Sequence, residues 1–384
     1  MVSLNSAPLR VLHILDDFAT TNTGVTSTVR QMVQWQASHC DWVGVHATGP
    51  MDLMIPEGVQ LRRSDAHAWT PFWRWPATGL KGLLDFIDVN RATHLHIHEF
   101  WRAGYIAGML ASRRRNLPVI LSAHGSTAPW ALHGQGPLKS WKKRLYWQIL
   151  GRSLLNSQVT LHAITPLEAG HMEDFFGYPA KAVIPNALNA DALTGNVLAV
   201  APSRRFVFLG RLHPVKGVDL LIEAFGKARL EDGWELVIAG PEEIPDYAAQ
   251  LRAMAAASSR AAHIRFVGPV YGAEKANLLQ SAWAVIVPSR TEVIGMVNLE
   301  AASLATPTVT TPNTGLDEWA QIGGILAADD AAALQAGLQA CADWSLQERL
   351  RRGQESRRHV LHRYSLDTVG QQWLQLYRST SPAR

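Results

Sequence analysis

"AVIVPSRTEVIGMVNLEAA", residues 284–302, joins an unbroken apolar run to a stretch that reads as a helix. It carries two carboxylates, Glu292 and Glu300, with Gly295 between them. An apolar run of this kind, ended by Pro-Ser, marks a strand buried on both faces, as in a parallel sheet. The loop "RTEVIG" follows, and a helix is expected to start near Met296. Glu292 then lies in the loop beyond the strand's carboxyl end, and Glu300 sits about one turn into the helix. Ligands of open parallel sheets bind at that end, where the free amides of a helix start also attract anions. Two acids there suit a hydroxyl-rich ligand, because carboxylates accept hydrogen bonds from vicinal hydroxyls. The plain alternatives are a helix-capping Glu300 and a solvated Glu292.

The same pattern repeats outward from this stretch. Strands are expected at 10–15, 42–47, 94–99, 118–123, 160–165 and 181–185, then at 205–210, 235–240, 264–268, 284–289 and 306–311. Amphipathic stretches lie between them. After Gly217, Val218, Leu221, Ile222 and Phe225 form one apolar stripe at helical spacing. The polar, small-residue segment 189–205 divides the chain. The fold class is therefore α/β, with two doubly wound Rossmann-like domains facing a central cleft. The first is expected over 1–195 and the second over 196–364.

Composition narrows the class. The 384 residues suit two domains, and 47% are hydrophobic. No run reaches eighteen apolar residues, and the N-terminus does not read as a secretion signal. Two cysteines, Cys40 and Cys341, exclude a disulfide framework and a cysteine-rich zinc site, and they fit a cytoplasmic location. Up to residue 190 there are seventeen basic and twelve acidic residues; beyond it there are nineteen and twenty. The basic knots "RRR" (113–115) and "KKR" (142–144) lie in the first part, without a nucleic-acid-binding motif.

"FLGRLHPVKG" (208–217) is the second informative stretch. A strand ends at Gly210, Arg211 and Lys216 follow, and Gly217 opens a helix. Two cations and a helix start converging on one point suit a diphosphate. Taken alone, the pattern also fits an ordinary strand–loop–helix with surface cations.

In order, these elements resemble the donor domain of the GT-B glycosyltransferases, in particular family 4. That family carries Glu–x7–Glu after a "PS" strand end, and a "GR…KG" element. "SAHG" (122–125), "IPNALN" (184–189) and "TPTVTTPNTGLDEW" (306–319) resemble further family elements, so the likeness extends over most of the chain. The resemblance implies that Arg211 and Lys216 bind the donor diphosphate, beside Gly210. Glu292 would hold the transferred sugar and Glu300 the ribose hydroxyls. Backbone amides at Gly295, Met296 and Val297 would meet phosphate or sugar oxygens, and Val267, in "FVGPV" (266–270), would contact the base. His124 would lie near the anomeric carbon, and Gly24 would leave room for phosphate and acceptor. A C-terminal helix, 365–384, would cross back onto the first domain. Configuration would be retained, with no cofactor and no metal.

Partners implied are a UDP- or GDP-linked sugar donor and a glycan or lipid-linked acceptor, with no nucleic acid. Cell-surface polysaccharide or lipopolysaccharide assembly in a bacterium is the expected setting. Departures from the family pattern are a lone Gly24 in "TNTGVTS", Ala187 after Asn186, Pro241-Glu242 after Gly240, and Ala305. None removes a proposed cation or carboxylate.

"HLHIHEFW" (94–101) puts His94, His96 and His98 on one face of a strand. Such a row can ligate zinc or iron. The expectation instead is that His98 borders the acceptor side with Glu99, while the other two are packed or exposed. Trp101 is a candidate for sugar stacking or for core. Aromatic and basic residues mingle in 67–80 (Trp69, Phe72, Trp73, Arg74, Trp75) and in 129–147 (Trp130, Trp141, Trp147), which suits peripheral contact with an anionic membrane at the inner face of the cell membrane; the competing reading is that these rings fill a core or stack on acceptor sugars. Three rivals stand beside the transferase. A Rossmann oxidoreductase needs Gly-x-Gly-x-x-Gly after the first strand, which "DDFATTNTGVTS" lacks. A catalytically silent sugar-nucleotide-binding subunit and a GT-B nucleotide-sugar epimerase share the plan.

Overall fold

The computed structural model describes residues 8–18, 24–47, 55–63, 79–133, 136–190 and 201–381. The Trp-rich stretch Trp69–Trp75 lies outside them. The chain forms two compact units: Met1–Ala187 with Leu366–Arg384, and Leu188–Ser365.

The first unit holds β1 (Arg10–Leu15), β2 (Trp42–Ala47), β3 (Val59–Arg63), β4 (His94–His98), β5 (Val119–Ser122), β6 (Val159–Ala163) and β7 (Ala182–Val183). They pair in the order β3-β2-β1-β4-β5-β6-β7, parallel throughout. Between them run α1 (Gly24–Ala37), α2 (Gly79–Asn90), α3 (Ala103–Arg115), α4 (Pro129–His133), α5 (Pro137–Tyr146), α6 (Arg152–Leu154) and α7 (Pro166–Phe176). Sequence reading missed β3. Its "VQLRR" is half-buried or exposed along its length, because an edge strand does not need a continuous apolar run.

The second unit holds β8 (Arg205–Leu209), β9 (Glu235–Ala239), β10 (Ile264–Gly268), β11 (Ala284–Val287), β12 (Thr308–Thr310) and β13 (Ile325–Leu326). Their order is β10-β9-β8-β11-β12-β13, again all parallel. The helices are α8 (Val218–Lys227), α9 (Pro245–Ala257), α10 (Gly272–Ser281), α11 (Met296–Ser303), α12 (Ala331–Ala342) and α13 (Leu346–Arg363). The α8 stripe Val218, Leu221, Ile222 and Phe225 is fully buried against β8 and β9 residues. β13, two half-buried residues at the other end of the second sheet, was missed as well. In both units the strand order reverses beside the first strand, so β1/β4 and β8/β11 are the switch points.

The last helix, α14 (Leu366–Thr380), belongs to the first unit. Period-two alternation explains what it covers. Leu12, Ile14, Leu95, Ile97, Leu121 and Leu161 join one core, with residues of α2, α3 and α7. The opposite sheet face packs on α1 and α14 through Val11, Val43, Val45, Ile120, Trp373 and Tyr377. His13, His96 and His98 alternate with the first core's leucines and isoleucines, so they point toward α1 and α14. All three histidines, with His94 and His162, are buried. Trp35 Nε1 donates to Asp367 Oδ1 at 2.7 Å and fastens α1 to α14.

In the second unit a buried cation ties the core together. Arg349 on α13 is 3% exposed and donates to the carbonyls of Ala282 (2.7 Å) and Trp283 (3.2 Å). Burial lowers its pKa to about 10. Replacing it strands those buried carbonyls. Arg349→Met is expected to destabilise the second unit by about 3 kcal/mol, read as a lower urea midpoint. An unchanged midpoint would show that other donors take over.

Candidate functional site

β8 and β11 are neighbours at a switch point, so the loops leaving their carboxyl ends lie side by side. Arg290 laces them together. Its amide donates to the Val215 carbonyl at 2.8 Å and its Nη1 to the Pro214 carbonyl at 2.7 Å. The same guanidinium bonds both oxygens of Asp219, at 2.9 and 2.7 Å, while Tyr247 donates to Asp219 at 2.8 Å. Burial alone would raise the Asp219 carboxyl. The bonds from Arg290 and Tyr247 outweigh it and hold the group below the usual carboxylate range.

Gly217 shows how tight the junction is. Its φ is +67°, and a Cβ there would sit 2.1 Å from the Pro288 carbonyl oxygen. Only glycine combines that backbone with that approach. Gly295 meets the other side: a Cβ would lie 2.5 Å from Asn298 Nδ2, which donates to Thr310 Oγ1 in a buried polar knot below α11.

The four charged residues singled out from sequence separate into three pairs. Lys216 Nζ lies 3.1 Å from Glu292 Oε1, both mostly buried, and Ser289 also donates to that oxygen. Glu300 receives Lys275 Nζ at 2.7 Å. Arg211 donates to Glu243 at 2.6 Å at a more exposed position. Among the described residues no ion pair or hydrogen bond joins Arg211 to Lys216, Glu292 or Glu300. Lys275, Glu243, Ser289 and Arg290 were not foreseen. They lie from 3 to 76 residues from the groups they bond, and no short motif links them.

The backbone sites are mixed. Gly210 follows β8 directly and its amide donates to the Ala239 carbonyl at 3.0 Å. α11 begins at Met296, as its sequence suggests. However, the Gly295 amide is committed to the Thr314 carbonyl and the Met296 amide to that of Ile294, both at 2.9 Å. Of the three amides expected to meet a ligand, these two are engaged within the unit. Val267 is exposed on the edge strand β10.

On the first unit, Gly24 opens α1 in an exposed position, with nothing described within 4 Å of a built Cβ. His124 follows β5 and takes a left-handed φ of +50°. Such backbone strain in a non-glycine residue concentrates at functional sites. The neighbouring Gly125 amide donates to Glu168 Oε1 at 2.5 Å, and the Ile164 amide donates to Oε2 at 2.7 Å. Burial raises the Glu168 carboxyl, partly offset by these amides.

His124 Nε2 is hydrogen-bonded to His98 Nδ1 at 2.9 Å, and His98 Nε2 to His13 Nδ1 at 3.0 Å. His94, expected to be packed or exposed, is packed, as is His96. A pocket on this face is lined by His96, His98, His124, His162, Asn186 and Trp373. Trp101 packs among Phe100, Tyr146, Trp147 and Phe175, and its Nε1 donates to the Ser126 carbonyl, so it is a half-buried ring at the edge of the core. Glu99 also has positive φ, 64°, and burial raises its carboxyl.

Comparison with known proteins gives a consistent picture. The family described as "Glycosyl transferases group 1" matches residues 196–357, and "Glycosyl transferase 4-like domain" matches 23–187. A D-inositol 3-phosphate glycosyltransferase of Jonesia denitrificans is 28% identical over 75% of this chain and 72% of its own length. A phosphatidyl-myo-inositol mannosyltransferase of Mycobacterium leprae is 29% identical over 93% of both chains. The Anabaena protein HepE, solved in complex with UDP-glucose, superposes with a TM-score of 0.76 at 15% identity, covering 97% of this chain and 100% of that one.

The buried histidines carry a pH dependence. Burial lowers His13, His46, His94 and His124 to about 4 and His162 to about 3, against an ordinary 6.5. The unfolded chain therefore binds more protons. Stability of the first unit is full above pH 6.5 and is lost as pH falls toward 4. Hydrogen exchange of β1 and β4 peptides should lose protection between pH 6.5 and pH 5 by about tenfold per pH unit for each net proton taken up on opening. Flat protection over that range would mean that these rings are charged in the fold.

Proposed function

The chain belongs to the family 4 glycosyltransferases of GT-B fold and is a hexosyltransferase; from that premise we propose that it is a retaining enzyme, moving a sugar from a nucleoside diphosphate to a glycan or lipid-linked acceptor. The observation that carries this reading is the Lys216–Glu292 pair at the β8/β11 switch point, with Lys275–Glu300 on the neighbouring helices. Without ligand, each cation is neutralised by an acid. A diphosphate brings its own negative charge, so Lys216 and Arg211 exchange their carboxylates for phosphate oxygens. Glu292 is then released to accept from sugar hydroxyls, and Glu300 to accept from the ribose. Charge grows on the diphosphate as the glycosidic bond breaks, and preorganised cations stabilise it most at that moment. The acceptor hydroxyl attacks from the face that the nucleotide leaves, and a departing phosphate oxygen takes its proton. No metal enters this scheme. A silent binding subunit would keep the same pairs without turnover, and an epimerase would release nucleotide without an acceptor.

Thermal shift against UDP- and GDP-linked sugars identifies the base. Glu292→Ala is expected to lower kcat by about 100-fold or more while nucleotide affinity stays within about threefold. Arg211→Ala with Lys216→Ala weakens nucleotide binding itself. Wild-type turnover in both variants would remove these residues from the site.

The proposal extends to the acceptor side. On α5 and the turn after it, Leu138, Trp141, Leu145 and Ile149 are 63, 59, 42 and 68% exposed. Spaced by three, four and four, they form one stripe, flanked by exposed Lys139, Lys142 and Arg144. An apolar stripe rimmed by cations suits the surface of an anionic membrane, where lipid-linked acceptors of cell-surface polysaccharides reside. No helix among the described residues is long and apolar enough to cross a membrane. Trp147, also expected at this surface, is buried instead. Trp141→Glu with Leu145→Glu is expected to reduce cosedimentation with phosphatidylglycerol vesicles about tenfold, and high salt should weaken wild-type binding. Equal sedimentation of variant and wild type would reject the membrane surface.

A further inference from the structure

The proton positions in the buried histidine seam follow from one backbone carbonyl. His162 Nε2 lies 2.9 Å from the carbonyl oxygen of Ile184. A carbonyl accepts and never donates, so Nε2 carries a proton. The ring is fully buried, and burial drives its pKa down to about 3. It is neutral, and Nδ1 is bare. Ser122, 2.8 Å from Nδ1, therefore donates its hydroxyl proton there. The Ser122 oxygen in turn accepts from His96 Nε2 at 2.8 Å. Burial also keeps His96 neutral, so its Nδ1 accepts from the Tyr377 hydroxyl at 2.8 Å.

The direction then passes through an amide. Tyr377 has spent its only proton, so its oxygen accepts from Gln36 Nε2 at 3.3 Å. That orientation turns Gln36 Oε1 toward His13 Nε2, 2.8 Å away, which donates. His13 Nδ1 is bare and accepts from His98 Nε2 at 3.0 Å; His98 Nδ1 accepts from His124 Nε2 at 2.9 Å. All eight bonds run one way, and all five rings are Nε2–H tautomers. The seam ends on His124 Nδ1, which has no hydrogen-bond partner among the described residues. His124 is half-buried and lines the pocket.

A metal reading competes for the same atoms. His13, His96 and His98 bring one ring nitrogen each within 4.8 Å of the others, a spacing that admits a cation. All six of their nitrogens already hold hydrogen-bond partners, and the His13–His98 contact shares a proton. A metal would have to break that line.

We propose that this one-way line is a tautomer lock, which holds His124 with Nδ1 bare so that it accepts a hydrogen bond from a hydroxyl of the sugar ligand and disfavours a group there that can only accept. The identity of the ligand rests on the transferase reading above; the lock itself does not. His98, His13, Gln36, Tyr377, His96, Ser122 and His162 are positioning residues, acting on the ligand through His124. Tyr377 gives the C-terminal helix a chemical task beyond covering the sheet.

Long-range nitrogen–proton correlation NMR of the full chain with isotope-labelled histidines reads each tautomer without substrate. The expected result is Nε2–H for all five rings, with His124 assigned by its loss in His124→Gln. An Nδ1–H or doubly protonated His124 at pH 7 would overturn the lock. Tyr377→Phe keeps the ring and removes the hydroxyl, which frees the Gln36 amide to turn. His124 should then populate both tautomers, and kcat/KM should fall about threefold to tenfold. A Tyr377→Phe protein with reduced activity but His124 still wholly Nε2–H would make Tyr377 a packing residue and sink the proposal. Tautomers as stated, in a protein that transfers no sugar, would uphold the lock and defeat the transferase reading instead.

Discussion

Both sheets are parallel throughout, so every strand delivers its carboxyl end to the same edge of its unit. Loops that are far apart in sequence therefore emerge side by side. At the switch point the first and fourth strands of a unit are neighbours, and the helices after them run to opposite faces. That constraint puts "GRLHPVKG" beside "RTEVIG", 70 and more residues later, with Arg290 binding the Pro214 and Val215 carbonyls. Parallel strands also need cover on both faces. In the first unit, α14 shares the cover of one face with α1.

The second unit arranges its charge in compensated pairs. A lysine or carboxylate held mostly out of water is costly when alone and tolerable beside an opposite charge. Lys216–Glu292 and Lys275–Glu300 meet that condition with side chains 13 to 24% exposed. The exposed Arg211–Glu243 pair contributes little to stability. In the proposed donor complex, exchanging carboxylate for phosphate would keep every cation paired.

The first unit solves a different problem. Histidines at alternate positions of β4, with His13 and His162 beside them, place polar nitrogens inside a packed face. Such groups are stable only when each finds a partner. Tyr377, Gln36, Ser122 and the Ile184 carbonyl supply the partners, and a neutral ring has one donor and one acceptor. A line of such rings has a direction, set where it touches a group that can only accept. His46 is an exception: it is buried, with neither ring nitrogen hydrogen-bonded among the described residues.

Periodicity and turn chemistry made most of the architecture legible. Continuous apolar runs announced eleven of the strands, the α8 stripe announced its buried face, and Gly295 followed by Met296 announced the start of α11. The edge strand β3 and the two-residue β13 escaped, because neither has to bury a full apolar face. The sequence by itself determined the two parallel-sheet units, the loops that carry Arg211, Lys216 and Glu292, the helix that carries Glu300, and the row of three histidines. Only the tertiary structure decided which charges pair, that two of the expected amides are already engaged, and that the histidine row joins residues from α1, β1, β5, β6 and the last helix. The reason is physical: alternation and spacing are local properties of a chain, whereas a hydrogen bond between residues 96 and 377 exists only once the fold has brought them together.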